Sequence, residues 1–188
     1  MHGNVHDTEF HCAESRCPAP EITAHLEVPE VRQPVGTIDP VQIRLTAEEY
    51  YRSGQFYCSE AIVKTINDAF GLDYPDRVVR MASGFPIGIG GAGCACGAVT
   101  GGVMAIGMIF GREKPGDPSV DRCLALAREL HMFFSGRHAF LCCRTLTHGM
   151  KLKSPEHLAQ CVAFTGEVAE ETAKIILRET REDESRLW

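Results

Sequence analysis

The residues best suited to chemistry lie in a charge-free segment, residues 81–111, which contains ten glycines and two cysteines. The apolar run at residues 103–110 predicts a buried helix that begins near Cys96. The unpaired N–H groups at the start of a helix stabilise a thiolate, and glycines let a second backbone approach closely. The segment therefore predicts a buried site for a soft metal or a redox disulfide.

Three further cysteines are predicted to point toward the same interior. Cys58 and Cys161 each lie on the apolar stripe of a predicted helix, and Cys143 is followed by Arg144, a source of positive potential. A single buried cysteine is usually a small apolar core residue. Four inward cysteines on different elements, with Cys96 as the fourth, instead favour a shared site.

Two other interpretations of the charge-free segment are weaker. Residues 88–93 match the spacing Gly-x-Gly-x-x-Gly of dinucleotide sites, but such a site needs a preceding strand and a βαβ unit. The flanking residues are predicted to be helical or looped. The continuous apolar run, residues 103–110, is far shorter than the roughly 20 residues that a membrane span requires. No membrane insertion is expected, and a buried central helix is the better account.

Composition narrows the class of protein. The chain has 188 residues and a formal net charge of −6, of which residues 1–40 carry −5. No basic patch is present, so nucleic acid is not an expected partner. The nine cysteines are an odd number, and the polar N-terminus does not resemble a secretory signal. A reducing cytoplasm is therefore expected, where many cysteines indicate metal or thiol chemistry.

The elements that must position these cysteines are all predicted to be helices. No alternating strand pattern occurs, so the predicted fold class is all-α: a compact bundle of about five to six helices around the glycine-rich central helix. A Thr46–Glu49 capping box is predicted to open the first helix. The inner faces of the last two long helices are predicted to include Leu124 and Leu158. The predicted helices cover 46 to about 54, 57–70, 76–83, 96–110, 119 or 121 onward, and 155 to about 181.

Residues 1–40 are predicted to form an extended, acidic, proline-rich arm, and residues 41–188 the helical, cysteine-containing domain. The arm holds five of the ten prolines and lacks a periodic pattern. It also carries histidines and cysteines whose spacing matches no standard zinc or ferredoxin signature: His2, His6, His11, Cys12 and Cys17.

The motif at residues 96–101, Cys-Gly-Ala-Val-Thr-Gly, is similar to the CGAxxG signature of the redox-active family named for the pattern C_GCAxxG_C_C. Cys58, early in a predicted helix, resembles the first cysteine of that family. Cys143, followed by Arg144, resembles the third, and Cys161, in the last long helix, resembles the fourth. The resemblance covers about residues 45–180.

This resemblance implies electron transfer or redox sensing through an iron–sulfur cluster, for example a 2Fe–2S cluster, with four cysteine ligands: Cys58, Cys96, Cys143 and Cys161. Related modules in split-Soret cytochromes carry haem, but this chain has no Cys-x-x-Cys-His, so no c-type haem is expected. A buried four-thiolate cluster needs compensating positive potential. The helix start and Arg144 could supply it, while Gly97 and Gly101 would let a second helix and its sulfur approach.

Several alternatives stay open at this point. Cys94 or Cys142 could replace its neighbour as a ligand, and His138 and His148 flank the second cysteine pair. A metal-free dithiol couple would use Cys96 as the nucleophile, with Cys58 or Cys143 as the resolving thiol. A non-redox interaction module would instead bind a partner through the arm. The redox partner protein is not identified by the sequence, and the glycine-rich helix would suit a homodimer.

Overall fold

The computed structural model describes residues 38–186, with side chains to residue 181, and in this range the chain is helical with no strand. Five helices of 12 to 32 residues form the bundle, and three single turns connect them. A 3-10 turn at Asp76–Val78 precedes the first of these short turns. The predicted all-α fold is confirmed. The helices are α1 (Pro40–Arg52), α2 (Cys58–Ala69), α3 (Val79–Ala82), α4 (Pro86–Ile89), α5 (Gly97–Phe110), α6 (Ser119–His138), α7 (Cys143–Leu146) and α8 (Pro155–Arg186).

The glycine-rich helix α5 is the centre of the bundle, and it packs against α2, α6 and α8. Gly102 on α5 faces α6 and α8: a β-carbon there would lie 2.6 Å from a Leu130 methyl group and 2.8 Å from side chains of Val168 and Thr172. Since three helices meet at a residue without a side chain, their axes come closer than larger residues would allow. Most residues of α5 are buried, which explains why this helix carries no charge.

Helix α1 begins six residues earlier than predicted. Asp39 is its N-cap, and the Asp39 Oδ1 atom accepts a hydrogen bond of 2.9 Å from the Val41 backbone N–H. The predicted capping box at Thr46 is wrong, because that side chain lies inside the helix and donates to the Gln42 carbonyl at 2.9 Å. The actual start combines an aspartate cap with a proline at the first helical position, Pro40.

The inner faces of α6 and α8 differ in part from the prediction. Leu124 is 57% exposed, and the buried side of α6 is formed by Leu126, Leu130 and Phe134. Leu124 lies two positions before Leu126, which turns it about 160° away from that buried residue in a helix with 3.6 residues per turn. Leu158 is also exposed, although His157, its neighbour in the first turn of α8, is buried: the first turn presents the histidine to the interior in place of the leucine.

The predicted arm falls almost entirely outside the described residues, together with its histidines and cysteines. The division of the chain at residue 40 therefore stays a prediction. Within residues 38–186, no helix is both long enough and apolar enough to cross a membrane.

Candidate thiol site

The structure places the four predicted site cysteines beside one pocket. Cys58 is the first residue of α2, Cys96 is the N-cap of α5, Cys143 is the first residue of α7, and Cys161 lies in the second turn of α8. Four separate elements thus each contribute one thiol. The other residues that line the pocket are Tyr51, Tyr57, Ile87, Gly97, Ala98, His157 and Phe164.

A short antiparallel bridge holds two of these cysteines in register. Ala95 pairs with Cys142, and the Cys96 N–H donates to the Leu141 carbonyl at 2.8 Å. The N–H of Cys143 donates to the carbonyl of the residue before Ala95. The bridge therefore joins the loop before α5 to the loop before α7, and Cys96 and Cys143 are fixed together at one end of the bundle.

Gly97 and Gly101 bring α2, and with it Cys58, against the start of α5. A β-carbon on Gly97 would overlap the Cys58 Sγ atom, and one on Gly101 would lie 2.6 Å from the Ser59 Cα atom. Real β-carbons do not approach other atoms so closely, so only glycine permits this packing. The predicted close approach of a second helix at both glycines is confirmed.

The glycines of residues 88–93 are used for packing. Gly88 has a φ of +69°, and a β-carbon there would lie 2.7 Å from the Cys143 Cβ atom. Gly93 has a φ of +73° and is covered by the side chain of Arg144, 3.0 Å from where its β-carbon would be. Both positions favour glycine because φ is positive and a neighbour is close. The first and last glycines of the Gly-x-Gly-x-x-Gly spacing are explained by this fit between two loops.

The prediction of a stabilised thiolate at Cys96 is wrong for the metal-free chain. Burial raises the pKa of Cys96 to about 12, and hydrogen bonds from the backbone N–H groups of Ala98 and Val99 offset only part of this increase. The helix start does act in the expected direction, but burial outweighs it. Burial is also the main cause of the raised pKa values of Cys58, Cys143 and Cys161.

The four thiols influence one another electrostatically. After burial, the next cause of the raised pKa of Cys58 is Cys96, followed by Cys161. Cys143 and Cys161 likewise raise the pKa of Cys96, and Cys143 raises that of Cys161. Every pair among the four is therefore close enough for a thiolate on one to disfavour a thiolate on the other. They can all ionise only if positive charge enters the pocket.

Arg144 does not lie at the pocket. Its side chain is exposed, and its guanidinium donates to the Ala92 carbonyl at 2.9 Å. Its positive charge contributes to the lowered pKa of Cys142, of which the first cause is a hydrogen bond from the Thr145 backbone N–H. The sequence predicts that this arginine acts on the buried site, whereas the structure places it beside an exposed thiol.

Two residues of the pocket were missed from the sequence, Tyr51 and His157. The His157 Nε2 atom lies 3.8 Å from the Cys161 Sγ atom, and the Tyr51 hydroxyl hydrogen-bonds to the same sulfur, which lowers the pKa of Cys161 against the effect of burial. His157 is 6% exposed, and burial lowers its pKa. For His157 the sequence did contain a signal: it lies four residues before Cys161, a spacing that places these two side chains on one helix face.

The histidines that the sequence analysis considered as alternative ligands lie elsewhere. His138 contacts Glu167 at 2.7 Å and packs against Phe134 and Phe164, and His148 is exposed. The other cysteines of the described range also do not line the pocket: Cys94 and Cys142 are exposed and Cys123 is half-buried.

The described side chains do not stand at the spacing that a single metal ion requires. Among residues 38–186, no three His, Cys, Asp or Glu side chains lie close enough together to hold one metal ion. A tetrahedral zinc site with Zn–S bonds of about 2.3 Å would place its sulfurs about 3.8 Å apart. A cluster of several atoms is larger, so its ligands stand further apart. The donor set of the pocket, four thiols and no carboxylate, is of the chemical type that binds an iron–sulfur cluster.

Comparisons with known proteins agree with the cysteine pattern. A family model described as "Putative redox-active protein (C_GCAxxG_C_C)" matches residues 56–175, which is more than half of the chain. These residues include the four cysteines of the pocket. Neither the curated proteins nor the solved structures contain a significant match.

Proposed function

The chain belongs to the C_GCAxxG_C_C redox-active family, and from this premise we propose that it transfers or senses electrons through an iron–sulfur cluster. The proposed ligands are the four pocket cysteines: Cys58, Cys96, Cys143 and Cys161. When bound, such a cluster accepts and releases single electrons. The observation that carries the proposal is that four thiols from four separate elements line one pocket that contains no carboxylate.

The residues around the thiols suit a site that holds negative charge away from water. The backbone N–H groups of Ala98 and Val99 lower the pKa of Cys96 against the effect of burial, and the Tyr51 hydroxyl does the same for Cys161. Hydrogen bonds to ligand sulfurs stabilise the reduced, more negative state. Phe164 covers the pocket with an apolar surface. These groups would set the reduction potential.

Loading the site requires the loss of thiol protons. All four thiols have raised pKa values, so they are protonated at neutral pH in the metal-free chain. Iron binds the thiolate, which means that loading releases protons and becomes more favourable as pH rises. The buried thiols can therefore lose their protons only when the positive charge of the incoming metal compensates the thiolates.

The test is anaerobic purification, or reconstitution with ferrous iron and sulfide, followed by iron and sulfide analysis and a visible spectrum. We expect iron, sulfide and a charge-transfer band that each of four serine variants weakens severalfold: Cys58→Ser, Cys96→Ser, Cys143→Ser and Cys161→Ser. Cys123→Ser is the matched control, because Cys123 is half-buried but lies away from the pocket. A colourless, iron-free protein with intact thiols after reconstitution would overturn the proposal.

A second candidate is a metal-free dithiol couple of Cys58 and Cys96. It is favoured by the position of the Cys58 sulfur directly against Gly97, the residue that follows Cys96. A small disulfide such as glutathione disulfide would be the oxidant: the Cys58 and Cys96 sulfurs lose two hydrogens and join, and the small disulfide is reduced to two thiols. Mass spectrometry of the iron-free protein under mild oxidation distinguishes the candidates, because only this one requires a link between Cys58 and Cys96.

A reducing compartment suits a site of this kind, and we propose the cytoplasm as its location, with a separate protein as the electron partner. All seven cysteines in the described range are free thiols. Thiols remain free in a reducing environment. To test the compartment, free thiols would be alkylated in intact cells and their number compared with the number that can be alkylated after lysis.

A further inference from the structure

One wall of the thiol pocket is a turn with an unusual backbone. Residues 87–91 have five consecutive positive φ angles, and two of them are isoleucines: Ile87 at +57° and Ile89 at +60°. A β-branched side chain adopts this left-handed conformation only at a cost in free energy. The turn therefore stores strain, and strained residues of this kind cluster at functional sites.

The left-handed turn, residues 87–91, contacts the pocket on one side and solvent on the other. Ile87 lines the pocket together with the four cysteines. A β-carbon on Gly97, at the start of α5, would lie 3.3 Å from the Cα atom of Pro86, which leads into the turn. Ile89 is 46% exposed, and residues 90–92 are exposed as well. A single layer of chain therefore separates the thiols from solvent at this place.

Backbone hydrogen bonds hold the turn closed. The N–H groups of Gly93 and Cys94 donate to the carbonyls of Ile87 and Gly88 at 3.3 and 3.1 Å. Opening would exchange these bonds for bonds to water and would release both isoleucines from the left-handed region. Because the released strain offsets part of the cost, this wall is the easiest to open. Opening of α2, α5 or α8 would instead break a regular helix and expose the core.

We propose that the left-handed turn is the gate through which iron and sulfide enter the thiol pocket. In the closed state, Ile87 excludes water from the thiols. The turn opens locally while the bundle stays folded, and a small reactant then reaches the sulfurs from the side on which Ile89 is exposed. The identity of the entering species rests on the proposed function. The gate itself is tested in the iron-free chain, so the two proposals can fail separately.

The probe is iodoacetamide, a small neutral thiol reagent, applied to the full chain without iron. Its target is Cys96, which is 7% exposed, and fragmentation of the tryptic peptide 81–112 separates its label from that of Cys94. Local opening exposes little surface, so we expect an alkylation rate that is constant up to about 1 M urea. Access through global unfolding would raise the rate roughly fivefold or more over the same range.

Variants of Ile89 isolate the strain, because this side chain is exposed and does not line the pocket. Asparagine tolerates the left-handed region, so Ile89→Asn should stabilise the closed turn and slow the alkylation of Cys96 by about threefold or more. Ile89→Val is the matched control: it keeps a β-branched side chain, and with it the strain, and should leave the rate unchanged.

Two results would overturn the gate. One is an alkylation rate that rises with urea as global unfolding does. The other is an Ile89→Asn variant that reacts no more slowly than Ile89→Val. The urea measurement uses the unaltered chain, so it decides even if Ile89→Asn folds poorly, which circular dichroism would show.

Discussion

The Cα atom of Gly97 lies against the Sγ atom of Cys58, so closely that a β-carbon on the glycine would overlap the sulfur. This contact joins the first residue of α2 to the first turn of α5. It also makes Gly97 part of the thiol site without any functional group of its own. Glycine is required after Cys96 because the Cys58 sulfur occupies the space that a side chain at residue 97 would take.

We predict that Gly97→Ala impairs loading of the site more than it impairs folding. The added methyl group must displace the Cys58 sulfur, and such overpacking costs about 1–3 kcal/mol. Iron content after reconstitution should fall at least twofold, while circular dichroism retains the helical spectrum. Gly107→Ala is the matched control, since a β-carbon at Gly107 on the same helix meets nothing within 4 Å. Equal iron content in both variants would contradict the role given to Gly97.

Gly101→Ala should instead destabilise the whole bundle. Its β-carbon would lie 2.6 Å from the Ser59 Cα atom and 2.8 Å from the Ser59 carbonyl oxygen, and backbone atoms cannot move aside cheaply. We expect the free energy of unfolding to fall by about 1–3 kcal/mol. Gly107→Ala should raise it by about 0.5–1 kcal/mol, because alanine favours a helix where there is room. Urea titrations measure both changes, and the opposite order would be inconsistent with close packing of α2 on α5.

Alkaline pH should destabilise the metal-free protein. In the folded chain, burial raises the pKa of Cys96 from the ordinary 9.0 to about 12. Below pH 9 the thiol is protonated in both the folded and the unfolded chain, so its contribution to stability is constant. Between pH 9 and 12 the unfolded chain loses this proton first, and each such thiol lowers the stability by about 1.4 kcal/mol per pH unit.

Urea midpoints from pH 8 to 10 measure this dependence. Cys96→Ala should flatten the decrease by about one proton, which is about 1.4 kcal/mol per pH unit above pH 9. Cys142→Ala is the control, because Cys142 is exposed and its pKa is lowered in the folded chain. If stability does not decrease above pH 9, the Cys96 thiol does not remain protonated in the fold.

The sequence predicted the helical elements well because their signals are local. α5 matches its prediction within one residue, since Gly111 and the apolar run before it fix its end. The start of α1 was missed because Asp39 and Pro40 were assigned to the arm, although aspartate followed by proline is a standard helix start. The predicted burial of Leu124 was wrong because the apolar residues of α6 are compatible with two inner faces, and only the packing of the neighbouring helices decides between them.

The composition of the site was predictable, but its electrostatics were not. The four cysteines that the motif identifies line one pocket. Such a motif is recognised from residue types and their spacing, without knowledge of atomic positions. Whether the Cys96 thiol is protonated depends on how deeply it is buried. The direction of the Arg144 side chain depends on its hydrogen bond to the Ala92 carbonyl, which lies on another loop. Tyr51 reaches Cys161 from another helix, a contact that no sequence pattern indicates.

The cysteines should differ strongly in reactivity when the protein lacks iron. Cys142 is exposed and its pKa is lowered, whereas Cys96 is buried with a pKa of about 12. From thiolate fractions alone, the reactivity of Cys96 is reduced about 10³-fold relative to an ordinary thiol of pKa 9. Timed alkylation at pH 7.5 with peptide mapping should label Cys142 long before Cys96. In urea the two rates should become similar, and equal rates in the folded protein would contradict the buried arrangement.

His157 and Tyr51 should tune the reduction potential of a loaded site through a single sulfur, that of Cys161. The Tyr51 hydroxyl hydrogen-bonds to this sulfur, and the His157 Nε2 atom is 3.8 Å from it. The Tyr51 hydroxyl donates, and the His157 ring donates in the tautomer that carries its proton on Nε2. A hydrogen bond of either kind stabilises the more negative reduced state, so its removal should lower the potential. A hydrogen bond of about 1 kcal/mol corresponds to about 40 mV for one electron. Tyr51→Phe removes only the hydroxyl and is therefore the sharper variant, with His157→Asn as the second.

Anaerobic redox titration of the visible band measures these shifts, with iron content determined in each sample. We expect Tyr51→Phe and His157→Asn to load normally and to shift the potential downward, because neither removes a thiol. His148→Ala is the matched control, since His148 is exposed and lies away from the pocket. Unchanged potentials in both site variants would mean that the Cys161 sulfur is not a ligand, even if the protein binds iron. A shift confined to these two variants would connect the Cys161 sulfur directly to the redox-active group.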